Sequence, residues 1–189
     1  MIRRLILAAA LLLALPVLTA AAAPPPVWNV DKAASKIAFA STFGGDAFSG
    51  TFRVWDAQIA FDPKTATGRV SAHIQTGSGT TGNADRDQAL PTPGWFASAR
   101  YPTANFEASS FKSLGANTYQ AIGTLSIKGV TKPLTLPFTL VITGDTAKMT
   151  ANVAVNRLAF GLGQGEWSGT DVIPNPANVT IVLVAHRAK

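Results

Sequence analysis

The chain has 189 residues, a formal net charge of +6 and no cysteine. That length suits one domain, and the missing cysteines exclude disulfides, a lipid-modified cysteine and a thiol nucleophile. The basic residues are scattered without interleaved aromatics, which argues against nucleic-acid binding, while mild positive charge is compatible with an anionic membrane surface.

Residues 1–23 read as a secretory signal peptide. Arg3 and Arg4 form a basic start, Leu5 to Leu18 an apolar run, and Ala20 to Ala23 offer small-residue cleavage sites. The apolar run is short for a membrane span, and Pro24-Pro25-Pro26 breaks any helix that follows. The remaining residues, 24–189, are predicted to form a single exported domain.

Strand periodicity dominates that domain. Ile37, Phe39, Ser41 and Phe43 share one parity, and Gly44-Gly45-Asp46 forms a turn. Phe52 and Val54 continue the apolar row. Trp55, Ala57, Ile59 and Phe61 take the opposite parity, which predicts a bulge or bend before Asp62-Pro63 ends the strand. Val70, Ala72 and Ile74 form the next row, and Phe106 and Ala108 the one after. Tyr119, Ala121, Gly123, Leu125 and Ile127 share a face; Gly129 to Pro133 is expected to turn the chain. Leu134, Leu136, Phe138, Leu140 and Ile142 make the most regular row. Gly144-Asp145 signals a hairpin into Met149, Ala151, Val153 and Val155, and Val179, Ile181 and Leu183 close the chain. About eight strands with hairpin spacing and almost no helical periodicity predict an antiparallel barrel or sandwich.

Thr81 to Leu90 interrupts the alternation. Asp85, Arg86 and Asp87 put mixed charges side by side, and Trp95-Phe96 follows. This stretch is predicted to be a clasp: a loop with a short helical turn over one end of the β structure, with Arg86 paired to a neighbouring carboxylate.

Chemistry for catalysis is sparse. His73 and His186 lie on polar parities with no metal-ligand spacing, and Gly161, Gly163 and Gly165 lack the following helix of a phosphate loop. Glu107 and Glu166 leave a two-carboxylate hydrolase as an alternative. Ala72, Ala108, Ala121, Gly123 and Ala151 are small inward residues; composition is equally compatible with room for a guest and with a dry interaction module.

Several ordered motifs carry a resemblance. They are Trp28-x-x-Asp31-x-x-x-Ser35-x-Ile37-x-Phe39, Gly50-x-Phe52, Phe61-Asp62-Pro63 and Thr81-Gly82-Asn83-x-x-Arg86-Asp87-x-x-Leu90. Trp95-Phe96, Tyr101-Pro102, Phe106, Gly123-x-Leu125-x-Ile127-x-Gly129-Val130-Thr131-Lys132-Pro133 and Asn156-Arg157-x-x-Phe160-Gly161 follow. Residues 28–187 thereby resemble the YceI family of periplasmic polyisoprenoid-binding proteins. The Gly163-Gln164-Gly165-Glu166-Trp167 loop resembles a subgroup found with, or fused to, cytochrome b561-type membrane proteins. Ala97 stands where the family often has aspartate.

The resemblance implies an all-β, lipocalin-like barrel of eight antiparallel strands, with a short helical turn in the 82–100 region. It also implies an isoprenoid lipid or quinone tail as ligand, with neither cofactor nor enzymatic activity expected; oligomeric state is left open, a homodimer included. The expected pore lining is Phe39, Phe52, Val70, Ile74, Phe106, Tyr119, Leu125, Leu136, Phe138, Val153 and Ile181. Arg86, Asp87, Asn156 and Arg157, with Trp95 and Phe96, are expected at the rim, either pinning the clasp or touching a polar headgroup.

Overall fold

The computed structural model describes residues 23–189, so the predicted signal peptide lies outside the described residues apart from its last residue. Ten strands run in chain order: β1 (Val27–Phe43), β2 (Asp46–Phe52), β3 (Trp55–Asp62), β4 (Thr67–Gln75), β5 (Gly79–Thr80), β6 (Thr103–Gly115), β7 (Thr118–Ile127), β8 (Val130–Thr143), β9 (Thr146–Val155) and β10 (Ala177–Arg187). Among the described residues one short α-helix, α1 (Ala84–Ala89), interrupts them between β5 and β6. Neighbours follow the order β10-β9-β8-β7-β6-β4-β3-β1-β2-β5, and β1 also pairs with β10. That last pairing closes the sheet into an eight-stranded antiparallel barrel, because β2 and β3 are two halves of one stave and β5, paired beside β2, continues the stave of β4. The stave bends at Arg53–Val54, where the sequence parity switches; Val54 faces solvent at the bend instead of continuing the apolar row.

Strand β1, 17 residues long, carries a bulge between Asp31 and Lys36 in its pairing with β10. The Asp31 carboxylate accepts from the backbone N–H groups of Ala33 and Ala34, at 3.0 and 3.1 Å. Ser35 donates to the Asp31 carbonyl at 2.5 Å, and its hydroxyl accepts from Val184 N–H at 2.9 Å. The Asp31-x-x-x-Ser35 spacing thus satisfies backbone groups that the bulge removes from the ladder. Trp28 does the same between β1 and β3, its indole N–H donating to the Phe61 carbonyl at 3.0 Å.

Strand β8 begins at Val130, four residues before its regular apolar row. The expected Gly129–Pro133 turn shrinks to Lys128 and Gly129, both at positive φ (51° and 78°), as a two-residue hairpin turn requires. Pro133 and Pro137 lie inside β8 and keep their register with β7. The Leu140 N–H points to the β7 side, donating to Asn117 O, so the odd-numbered prolines turn their donor-less nitrogens toward β9. The β8–β9 ladder accordingly stops at Phe138↔Ala151.

The two ends of the barrel differ. One has tight turns at residues 63–66, 116–117 and 144–145; the other carries the β1–β2 hairpin, the clasp at 76–102 and the long 156–176 connection. An aromatic floor seals the tight-turn end. Phe61 meets Phe111, Tyr119 and Phe138 at 4.8, 5.4 and 5.9 Å, and Tyr119 stacks on Phe138 at 5.4 Å.

Candidate ligand cavity and its rim

Between floor and rim the barrel is hollow. A cavity of about 560 Å³ runs through it, within the range of pockets that enclose small molecules. Its wall is almost wholly apolar; the polar residues that reach it are Ser41, Thr81, Asn83, Asp85, Arg86 and Arg157, with Trp167 beside them at the rim. Ten expected lining residues stand on the wall: Phe39, Phe52, Val70, Ile74, Phe106, Leu125, Leu136, Phe138, Val153 and Ile181. Tyr119 does not. It is absorbed into the floor, where its hydroxyl donates to Pro63 O at 3.3 Å.

The small inward residues divide. Ala72 and Ala121 face the cavity, whereas Ala108, Gly123 and Ala151 are packed away from it. Gly123 shows why: a Cβ there would stand 2.9 Å from the Ala108 Cβ, so β6 and β7 meet too closely for a side chain. Alternating small residues therefore serve both open space and tight packing, which periodicity does not distinguish.

The rim is built by three loops. Phe52 bridges Phe39 (5.4 Å) and Phe96 (5.7 Å), so the aromatic pair Trp95-Phe96 folds inward onto the wall. Thr76, fully buried, donates from N–H to Pro102 O and from its hydroxyl to Tyr101 O, both at 2.8 Å, tying the two ends of the clasp together. The Gly94 carbonyl accepts from Gly163 and Gln164 N–H at 2.9 Å, and the Lys128 ammonium spans Pro93 O and Gly161 O at 2.7 Å each. Burial pushes the Lys128 ammonium below its ordinary pKa, and it holds clasp and 156–176 connection as one unit.

Ala97 takes φ +49° in this clasp. Left-handed backbone disfavours a residue with Cβ by about 1–2 kcal/mol, and Asn or Asp tolerate it better. Alanine at this position therefore holds the turn at some cost in strain.

Arg157 is the centre of the 156–176 connection and is only 3% exposed. Its Nε donates to Pro174 O, Nη1 to the carbonyls of Leu162, Gly163 and Trp167, and Nη2 to those of Gly169 and Ile173, at 2.8 to 3.5 Å. Its guanidinium lies 5.7 Å from the Trp95 ring, and burial lowers its pKa from the ordinary arginine value. No carboxylate pairs with it among the described residues. Gly163 is obligatory beneath it, because a Cβ there would collide with Nη1. Asn156 stays exposed and accepts from Ala159 N–H at 3.1 Å, an N-cap away from the cavity wall.

The clasp charges do not pair as expected. The Asp87 carboxylate is filled by Thr80 Oγ1 (2.6 Å), Thr81 N–H (2.6 Å) and Thr81 Oγ1 (2.7 Å). These donors stabilise its ionised form and lower its pKa to about 2. A depressed folded-state pKa gives stability that is present above the unfolded value near 4 and lost as pH falls toward about 2. Asp87→Asn should therefore lower the melting temperature at pH 7, with the gap from wild type closing in melts between pH 4 and 2. Arg86, deprived of Asp87, donates from Nε to Thr81 Oγ1 at 3.3 Å and places its guanidinium 4.9 Å from the Phe48 ring. Residue pattern gave Phe48, Ser41, Asn83 and Asp85 no place on the cavity wall, yet all four line it; the β1–β2 register Ser41↔Phe48 sets two of them side by side.

Away from the cavity, His73 on β4 meets Asp56 at 2.9 Å and Glu107 at 3.9 Å on the outer face, and Ser71 donates to Glu107 at 2.5 Å. Glu166 is exposed in a short 3-10 turn, Gly165–Trp167. Neither Glu107 nor Glu166 lines the cavity.

Comparison with known proteins agrees with this architecture. Among solved structures, Burkholderia cenocepacia BcnA superposes with a TM-score of 0.80 at 30% identity, over 82% of this chain and 99% of BcnA. A polyisoprenoid binding domain from Saccharophagus degradans, implicated in plant cell wall breakdown, shares the fold at TM-score 0.67 and 16% identity, over 86% of this chain and 99% of its own. Among curated relatives, an Azotobacter vinelandii UPF0312 protein is 36% identical over 88 residues, 46% of each chain. Protein YceI of Escherichia coli is 38% identical over 97 residues, 51% of this chain and 50% of its own. The matched stretch thus spans about half the length of these curated relatives. The YceI-like domain matches residues 28–185, from the Trp28 indole that ties β1 to β3 to near the end of the closing strand β10, and this protein belongs to that family.

Proposed function

We propose that this protein is a periplasmic carrier that sequesters the apolar chain of an isoprenoid lipid or quinone inside the barrel. The observation that supports this reading most directly is the apolar cavity of about 560 Å³, closed at one end by aromatics and ringed by polar groups at the other. An isoprenoid tail has no charge, so recognition rests on burial. Each five-carbon unit contributes up to roughly 3–4 kcal/mol before ordering costs, at about 0.8 kcal/mol per CH₂-sized group. The polyisoprenoid binding described for the Saccharophagus domain supports the same ligand class. The basic, apolar and small-residue order of residues 1–23 supports export.

The hydrolase alternative has less support, because Glu107 and Glu166 both stay off the cavity wall. The test is native mass spectrometry of protein purified from its own host, with reloading by prenyl chains of increasing length. A co-purifying or reloaded prenyl amphiphile, bound more tightly with each added unit, is the expected result. A protein that carries none and takes up none would overturn the proposal.

A further inference from the structure

The polar ring around the mouth has one apolar gap. Of the large apolar side chains left exposed among the described residues, Phe43 alone also lines the cavity. It ends β1 and is 40% exposed. Its ring meets Trp167 at 5.8 Å, and Trp167, half-buried, lines the cavity as well. Val172, 45% exposed, joins them. Gly44 N–H donates to its carbonyl at 2.9 Å, which fastens the tip of the β1–β2 hairpin to the 156–176 connection. The next residue, Ile173, is buried on the cavity wall, so consecutive residues of this segment face solvent and cavity. Arg157 holds the Trp167 and Gly169 carbonyls from below at 3.0 and 2.8 Å, which fixes the backbone of this lip.

Charge around the lip is one-sided. Residues 43–47 and 164–172 contain Asp46, Glu166 and Asp171 and no lysine or arginine. All three carboxylates are exposed, and none forms an ion pair among the described residues. An anionic surface would be repelled there, although the chain as a whole is basic. A surface without net charge would not be. In the carrier reading the guest chain leaves and re-enters a bilayer, and every unit that crosses water loses its burial on the way. The lip carries the apolar wall of the cavity out to the surface, and a tryptophan beside a phenylalanine suits the zone between headgroups and acyl chains.

We infer that Phe43, Trp167 and Val172 form a docking lip that enters the surface of a zwitterionic bilayer, so that a chain passes between bilayer and cavity without crossing water. This rests on the carrier reading and adds the surface from which the chain is taken. The three carboxylates keep the lip shallow and select against anionic lipid.

The experiment is co-sedimentation of the protein, purified from its own host, with sucrose-loaded vesicles. One set is phosphatidylcholine, the other equal parts phosphatidylcholine and phosphatidylglycerol. Uptake of geranylgeraniol from vesicle-free solution is measured alongside. The protein should sediment with phosphatidylcholine and bind the anionic mixture about threefold to tenfold more weakly. Val172→Asp should weaken vesicle binding about tenfold and leave geranylgeraniol uptake and melting temperature unchanged, because Val172 is exposed and lies off the cavity wall. Asp171→Lys should strengthen binding to the anionic mixture about tenfold. No binding to phosphatidylcholine, or a Val172→Asp protein that binds like wild type, with uptake intact in either case, would overturn the lip and leave the carrier reading standing. Tighter wild-type binding to the anionic mixture would also overturn it, since the scattered cations would then be the contact. So would a dimer that Val172→Asp disperses, because a second copy would then be the occupant. Vesicle binding without uptake of geranylgeraniol would overturn the carrier reading and the transfer route with it.

Discussion

Ala72→Phe is expected to stabilise the unliganded protein and to weaken chain binding by about a hundredfold or more. Ala72 faces the cavity, between Ala57 on β3 and Phe106 on β6, which also face it. In a close-packed core such an enlargement destabilises by about 1–3 kcal/mol through strain. In a hollow barrel the new ring buries itself without displacing a neighbour, and a gain of about 1–2 kcal/mol is expected from the apolar area covered. The same ring occupies space otherwise open to a chain. Losing even one five-carbon unit of contact should weaken binding about a hundredfold. Ala108→Phe is the internal control. It lies off the cavity wall against Gly123, where even an added Cβ would stand only 2.9 Å from the Ala108 Cβ, and it should destabilise. Thermal melts and prenyl-chain titrations of the two variants would check the pair. Destabilisation by Ala72→Phe with chain binding unimpaired would contradict an open channel.

The second large effect belongs to Arg157. Its five N–H donors reach six carbonyls of one connection, so Arg157→Met would leave most of those oxygens unsatisfied in a buried setting. A loss of about 3–5 kcal/mol is expected, the range seen when a buried charged network loses its partner. Arg157→Lys should not rescue it, because an ammonium has three donors and no planar fork. The damage should reach across the rim, since Gly163 and Gln164 also hold the Gly94 carbonyl of the clasp. Hydrogen exchange would detect this as lost protection at 94–97 and 161–169 while β6 and β7 stay protected. Loss confined to the 156–176 connection, with the clasp unaffected, would show that the two loops are not one unit.

Arg157 and Arg86 also mark the limit of what residue pattern could tell. Both look like surface arginines beside polar neighbours, and pattern offers them a carboxylate partner or a headgroup. Arg157 is instead consumed by carbonyls of its own loop, and Arg86 is left unpaired because Asp87 is satisfied by two threonines. Such outcomes depend on which local donor is nearer by an ångström, which no periodicity encodes. Tyr119 makes the same point on the wall. Its parity is inward like that of Leu125, yet depth along the barrel places it in the floor and not beside the guest.

The sequence by itself determined the strands, the inward parity of each, the bend before β3 and the helical turn over one end. These follow from side-chain alternation and turn chemistry, which act over a few residues. Alternation left barrel and sandwich open and only the motif resemblance implied a barrel; the tertiary structure shows the closure itself, β1 pairing with β10, so that the inner face has no second sheet to fill it. It also decided which small residues leave space and which only let strands touch. Closure, depth and register are long-range relations among strands, and an alternating pattern is the same whether its apolar face meets another sheet, a floor or an open channel.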